Sequence, residues 1–316
     1  MRPIFIGGCQ RSGTTLLGAL LGGAAETVTV PEAPFKWGAL QRGARPWARL
    51  ADVVTYIGAQ HRYQIWGAAP TADLLARIPS ENGSEAPAHT LGRAALDLVI
   101  RAYAEEQGAG DAQWWVDHTP ENLHQAMRLR AAYPEARFVH VVRDGRAATA
   151  SVLKLDWGPH DVLAASRWWV EAVAHGLAAE AALGAVRVRY EDLVRDPDHT
   201  LQTLCTQIGV PFSSGMAEGQ GFEVPTYTQG QHRLVGGRPD PSRIDAWRSA
   251  LTAREIALFE RKAGGLLALL GYAPVHESDA PGPSLAERLR FGVLGRLKFV
   301  RGRRAQQRRL RAAAAS

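Results

Sequence analysis

The residues with the clearest chemical capacity are Gly8-Cys9-Gln10-Arg11-Ser12-Gly13-Thr14-Thr15. They stand between an apolar, β-prone run, Ile4-Phe5-Ile6, and a helical pattern from about Thr14 to Leu21. Their spacing is that of a phosphate-binding loop, G-x-x-x-x-G-K-[ST], with Thr14 in the lysine slot. Small residues let backbone N–H groups curl around an anion, and the following helix N-terminus adds the positive end of its dipole. In nucleoside triphosphate enzymes that lysine reaches the β- and γ-phosphates, beside a magnesium ion. A donor without a γ-phosphate needs neither group in that place. Arg11 comes earlier in the loop, where a guanidinium can bridge a 5′-phosphate and the atom being transferred. A glycine-rich turn without a ligand is the plainer alternative, and the conjunction of strand, spacing, arginine and helix weighs against it.

A second cation follows another strand pattern. Arg137-Phe138-Val139-His140-Val141-Val142 runs into Arg143-Asp144-Gly145-Arg146 and then a helix carrying Ser151, eight positions beyond Arg143. An arginine at a strand's C-terminal edge stands where α/β folds bind ligands. A strand-end ion pair of Arg143 with Asp144 is the alternative. Asp144 can also be read as a magnesium-binding acid after an apolar strand.

With these two motifs the sequence resembles the sulfotransferases that use 3′-phosphoadenosine 5′-phosphosulfate (PAPS). The stretch Gly7 to Leu17 is similar to their 5′-phosphosulfate loop, through Arg11, Ser12, Gly13, Thr14 and Thr15. It is closer to the tyrosylprotein and bacterial branch, with arginine before Ser-Gly-Thr-Thr, than to the cytosolic small-molecule branch. The resemblance implies that Arg143 and Ser151 bind the 3′-phosphate and that Tyr190, in Tyr190-Glu191-Asp192-Leu193, lies near the adenine. It implies that Arg238, in Gly236-Gly237-Arg238-Pro239 ahead of Arg243 and Trp247, faces phosphate from a late loop. It spans about Ile4 to Leu270, and only the two phosphate motifs are specific.

Sulfuryl transfer to a hydroxyl needs a base for the acceptor proton, cations for charge on the transferred group, and in-line placement. It requires no metal. Glu32, in Val30-Pro31-Glu32-Ala33-Pro34, falls where the resembling branch places its catalytic glutamate. His118, in Asp117-His118-Thr119-Pro120, falls where the cytosolic branch has a catalytic histidine and the glutamate branch a lysine. The chain departs from both patterns there. The expectation is Glu32 as base and His118, as imidazolium, polarising the transferred group, with the opposite assignment open.

These residues need a frame. Ile4–Ile6, Thr27–Val30, Trp114–Val116, Arg137–Val142 and Val186–Tyr190 read as strands. Helical patterns fill Val162 to Leu183, Thr200 to Ile208 and Thr252 to Leu270. Strands alternating with helices imply an α/β fold with a phosphate-loop-type, mostly parallel central sheet flanked by helices. Residues 36–113 contain no clear strand and are expected to be a helical insertion shaping the acceptor site. Trp37, Trp47, Tyr56, Tyr63 and Trp66 could line that site, although such residues are more often core.

The expected division is a transfer domain over 1–278 and a linker and basic tail over 279–316. The net charge is +6, yet from Ser284 onward ten Lys and Arg face only Glu287, which leaves about −3 for the rest. The basicity therefore belongs to the tail, and nucleic acid is not an expected partner. Leu285, Leu289, Val293, Leu297 and Val300 fall near one helical face among the arginines. They suggest docking on an anionic membrane or acidic partner, or else a solvated tail. No window approaches the roughly 20 apolar residues of a membrane span. Pro3–Ile6 enters a strand directly, without a signal peptide, and two cysteines cannot build a disulfide framework. A cytoplasmic protein, peripheral at the membrane if the tail docks there, is the expectation. The rival readings are a kinase using ATP and magnesium, and a membrane-associated nucleotide-binding protein without turnover. The acceptor has no readable motif.

Overall fold

The computed structural model describes residues 1–40, 47–66, 68–78, 88–225, 235–276 and 280–289, with single positions at 291, 295, 302, 304, 305 and 308. Its centre is a sheet of strands β1 (Arg2–Gly8), β2 (Thr27–Val30), β3 (Trp114–Asp117), β4 (Arg137–Val142) and β5 (Val186–Arg189). The order is β2-β3-β1-β4-β5, and every adjacent pair is parallel. Pro3–Gly8 and Phe138–Val142 are buried without interruption, as strands covered on both faces must be.

Helix α1 (Thr14–Leu21) follows β1 and is buried all round. Between β2 and β3 every described element is helical: α2 (Lys36–Ala39), α3 (Leu50–Gly58), α4 (His61–Gln64), α5 (Thr71–Ala76) and α6 (Ala88–Glu106). Among the described residues of this stretch there is no strand. Tyr63 and Trp66 prove to be core, packed with Phe35 and Tyr103. A 3₁₀ turn (Pro120–Gln125) and α7 (Ala126–Ala132) lead from β3 to β4.

After β4 come α8 (Gly145–Val152) and α9 (Val162–Leu183), and α10 (Tyr190–Arg195) with α11 (Pro197–Ile208) follow β5. Asp161 opens α9 by accepting the Ala164 N–H at 2.8 Å, and Gly184 ends it in the left-handed region at φ 67°. Farther on lie α12 (Trp247–Ala250) and α13 (Ala253–Leu269), the latter packed on α9. Among the described residues no helix is long and apolar enough to cross a membrane.

The beginning of the tail folds back. Arg254 of α13 pairs with Glu287 at 2.8 Å and donates to the carbonyl oxygens of Pro281 and Gly282. Leu285 and Leu289 are largely exposed. Val293, Leu297 and Val300 of the expected apolar face lie outside the described residues.

Candidate active site

Because the strands are parallel, their C-terminal ends share one edge of the sheet, where α/β folds collect ligands. The candidate groups follow those ends in turn: the Cys9–Thr15 loop after β1, Glu32 after β2, His118 after β3, Arg143 after β4 and Tyr190 after β5.

The loop is held in an unusual shape. Arg11 takes φ 69°, a left-handed conformation that costs a non-glycine residue on the order of 1 kcal/mol. Gly13 takes φ 101°, and a Cβ there would lie 2.6 Å from Tyr190 Cδ2. Gly13 also starts α1 without a side-chain cap, so the first N–H groups of the helix stay open toward the loop's concave side. Gln10 Nε2 donates to Glu121 and anchors the loop's outer side.

The two arginine motifs interlock. Arg143 donates from Nη1 to the Arg11 carbonyl oxygen at 2.8 Å, and Arg11 donates from Nε to Ser151 Oγ at 3.1 Å. The Arg143 guanidinium lies 4.1 Å from the centroid of the Tyr190 ring. Tyr190 thus serves as a platform beneath both the loop and Arg143. Arg143 Nε and Ser12 Oγ are buried without a hydrogen-bond partner among the described residues.

Arg11, Gly13, Arg143, Ser151 and Tyr190 line a cleft of about 500 Å³ together with Thr14, Thr15, Lys154, Arg243 and Trp247. Among the described residues its lining includes four cations, Arg11, Arg143, Lys154 and Arg243, and no carboxylate. Burial, with Arg143 close by, lowers the proton affinity of Arg11, and Glu32 and Tyr190 offset part of this. Such a cleft favours a polyanion, and its volume suits a nucleotide. The orphaned Arg143 Nε and the open helix N-terminus fit an anionic ligand.

Arg238 is not part of this lining. It is exposed and paired with Asp198 at 2.7 Å and Glu218 at 3.2 Å, so the expectation that it faces phosphate is corrected. The same segment contributes Arg243 instead. Lys154, two residues past the end of α8, carried no motif that would have marked it.

Asp144 does not form the strand-end pair with Arg143, nor is it free for magnesium. Its carboxylate caps α8 by accepting the Arg146 N–H at 2.9 Å and forms an ion pair with the Arg146 guanidinium at 2.7 Å. Arg146 in turn binds Glu260 of α13 at 2.5 Å. The Asp144 N–H donates to Glu191, whose other oxygen accepts from the Tyr272 hydroxyl. This network belongs to the scaffold that orients Arg143.

On the other side of the loop, Glu32 is half-buried. Burial raises its carboxyl to about 7; Glu121 and Asp117 push the same way, against Arg62 and Lys36. A group poised there suits general-base work near neutral pH. His118 departs from expectation. Burial lowers its ring to about 4, and it stacks edge-on against Phe222 with both nitrogens lacking a hydrogen-bond partner among the described residues. A neutral imidazole supplies no positive charge, so the imidazolium role is corrected. A buried cation on that side is Lys36, 2.7 Å from Asp117 and buried with it. Sequence reasoning missed Lys36; its place between Phe35 and Trp37 was the available hint of burial.

Comparison with known proteins agrees with this architecture. A model of the sulfotransferase family matches residues 3–214. Nodulation protein NoeE of Sinorhizobium fredii is 27% identical over 90% of this chain and 71% of its own length. Human carbohydrate sulfotransferase 2 is 26% identical over 48% of this chain and 37% of its own. The sulfotransferase domain of the Synechococcus PCC 7002 olefin synthase superposes with a TM-score of 0.55 at 21% identity, over 86% of this chain and 94% of that domain. The sulfotransferase domain from the curacin biosynthetic pathway gives 0.53 at 17% identity, over 86% and 99%. These two likenesses concern the fold.

Proposed function

The chain belongs to the sulfotransferase family, and from that premise we propose that it transfers a sulfuryl group from PAPS to a hydroxyl acceptor by in-line displacement. The observation that carries the choice of donor is the cleft with four cations and no carboxylate among its described lining. Two of those cations, Arg11 and Arg143, come from separate strand ends and meet across a loop that lacks the lysine of ATP enzymes.

In this reading the loop N–H groups with Ser12, Gly13, Thr14 and Thr15 hold the 5′-phosphosulfate. Arg143 and Ser151 receive the 3′-phosphate, and Tyr190 supports the loop beside the nucleoside. Glu32 takes the acceptor's proton as the acceptor oxygen bonds to sulfur. The bond from sulfur to the bridging phosphate oxygen breaks, and 3′-phosphoadenosine 5′-phosphate (PAP) leaves with that electron pair. Arg11 offsets the charge that grows on the bridging oxygen. None of these steps uses a metal.

The name of the human relative supports a carbohydrate hydroxyl as the first acceptor class to try. The helical segment 36–113 is proposed to shape the acceptor side of a transfer domain over 1–278. The basic stretch 284–316 is proposed as a contact for an anionic surface or acidic partner. A cytoplasmic setting, peripheral at the membrane, belongs to the same proposal.

The test is incubation with labelled PAPS and a panel of carbohydrate, phenolic, lipid and peptide hydroxyls in the presence of a chelator, with Arg11→Ala as control. Chelator-resistant transfer that Arg11→Ala abolishes supports the reading. Transfer from ATP that the chelator stops, or native transfer by Arg11→Ala, sinks it.

A further inference from the structure

Lys36 and Asp117 have no part in the transfer scheme, yet both are almost wholly buried and stand 2.7 Å apart. Taking two charges out of water is costly, and an apolar pair of similar size often serves stability as well. What this pair holds is specific. Lys36 Nζ also donates to the Ala33 carbonyl oxygen at 3.2 Å and to Thr119 Oγ1 at 3.1 Å. The Ala33 N–H donates to the same Thr119 oxygen at 3.0 Å, and that hydroxyl donates to Asp117 at 2.6 Å. Asn122 completes the knot by donating to the Asp117 and Ile6 carbonyl oxygens, each at 2.9 Å. The peptide next to Glu32 is thereby tied to the end of β3 and, through Asn122, to β1.

We propose that the Lys36–Asp117 pair is a positioning device for Glu32, clamping its loop to the end of β3 and setting two opposed charges beside its carboxyl. The inference rests on the reading of Glu32 as the base. The ammonium favours the ionised carboxylate and the Asp117 carboxylate disfavours it, so the buried pair leaves the Glu32 carboxyl poised rather than driven to either state. The other charges facing Glu32 are Arg62 from α4, Glu121 from the 3₁₀ turn and Arg11 from the loop, where Glu32 in turn acts on Arg11. With His118 neutral, Lys36 is also a fixed, fully buried cation on this side of the site.

The experiment titrates Glu32 itself, so it needs no acceptor. In protein labelled with ¹³C at the glutamate carboxyls, the Glu32 signal is the one missing from Glu32→Gln, and it is followed against pH. Lys36→Met should raise its midpoint by about 0.5–1 unit and Asp117→Asn should lower it by a similar amount. Opposite shifts are not what a merely structural pair gives. Two shifts in one direction, or none, overturn the proposal. If either single variant fails to fold by circular dichroism, the other decides alone: a shift in its stated direction upholds the proposal, and no shift or the reverse one overturns it. The base reading fails separately, if Glu32→Gln transfers sulfate at the native rate.

Discussion

Arg143 donates to the carbonyl oxygen of Arg11 at 2.8 Å, so the cation after β4 fixes the backbone of the loop after β1. Arg11 is held at φ 69° in the same contact, and its side chain turns toward Ser151. The two anion motifs, 132 residues apart, are therefore one assembly. Removing Arg143 takes away a phosphate partner and releases the strained loop together. Arg143→Ala is expected to weaken PAP binding by roughly ten- to a hundredfold, the worth of a charge-assisted hydrogen bond. Calorimetric titration with PAP measures it.

Arg11→Ala removes charge from the point where the leaving oxygen develops its own. The expected loss in kcat is on the order of 10²–10³, with the thermal transition little changed. Single-turnover kinetics with labelled PAPS separates this from a binding defect.

Gly13 has φ 101° and no room for a Cβ against Tyr190. Gly13→Ala should therefore cost at least about 1–2 kcal/mol of stability and most of the PAP affinity. Thermal melts with and without PAP test this: the native protein gains stability from the nucleotide, and the variant gains little.

The pH dependence follows from Glu32, whose carboxyl burial raises to about 7. A base must be ionised, so kcat/KM should fall as pH drops through about 7, and Glu32→Gln should lose both the limb and roughly 10²-fold or more in rate. The stability sign is opposite. A carboxyl raised on folding binds its proton more tightly in the native state. Its unfavourable contribution thus sets in as pH climbs from the ordinary carboxylate range to 7. Glu32→Gln should be the more stable protein above neutral pH, as urea denaturation at pH 5 and pH 8 will show.

The scaffold beneath Arg143 has its own signature. Asp144, Arg146 and Glu260 form a buried charge chain between α8 and α13. Glu260→Gln or Asp144→Asn leaves Arg146 under-compensated, and about 3–5 kcal/mol of stability should be lost, read from urea midpoints.

The strands and the loop were legible because their signals are local. β1 and β4 read as buried, β-prone runs and β5 as an alternating one, and Gly8, Arg11 and Gly13 sit at spacings set by one turn of chain. Thr14–Leu21 and Val162–Leu183 agree with the helices observed. What was not legible depends on contacts between distant segments. Nothing near Arg238 reveals that Asp198 and Glu218 claim it, or that Arg243 turns to the cleft instead. The neutral state of His118 follows from its burial, and the partner of Lys36 lies 81 positions away. The short Lys36–Ala39 helix gave no period from which its buried side could be read.

The central claim is a cleft built for a nucleotide with a second, 3′-phosphate and no magnesium. Calorimetry of the native protein with PAP, AMP and ATP, in chelator and then in magnesium, tests it directly. PAP should bind at least about tenfold more tightly than AMP in chelator, the contribution of one charged phosphate contact. ATP should gain nothing on adding magnesium. Equal affinity for PAP and AMP, or magnesium-dependent ATP binding that displaces PAP, would contradict the account.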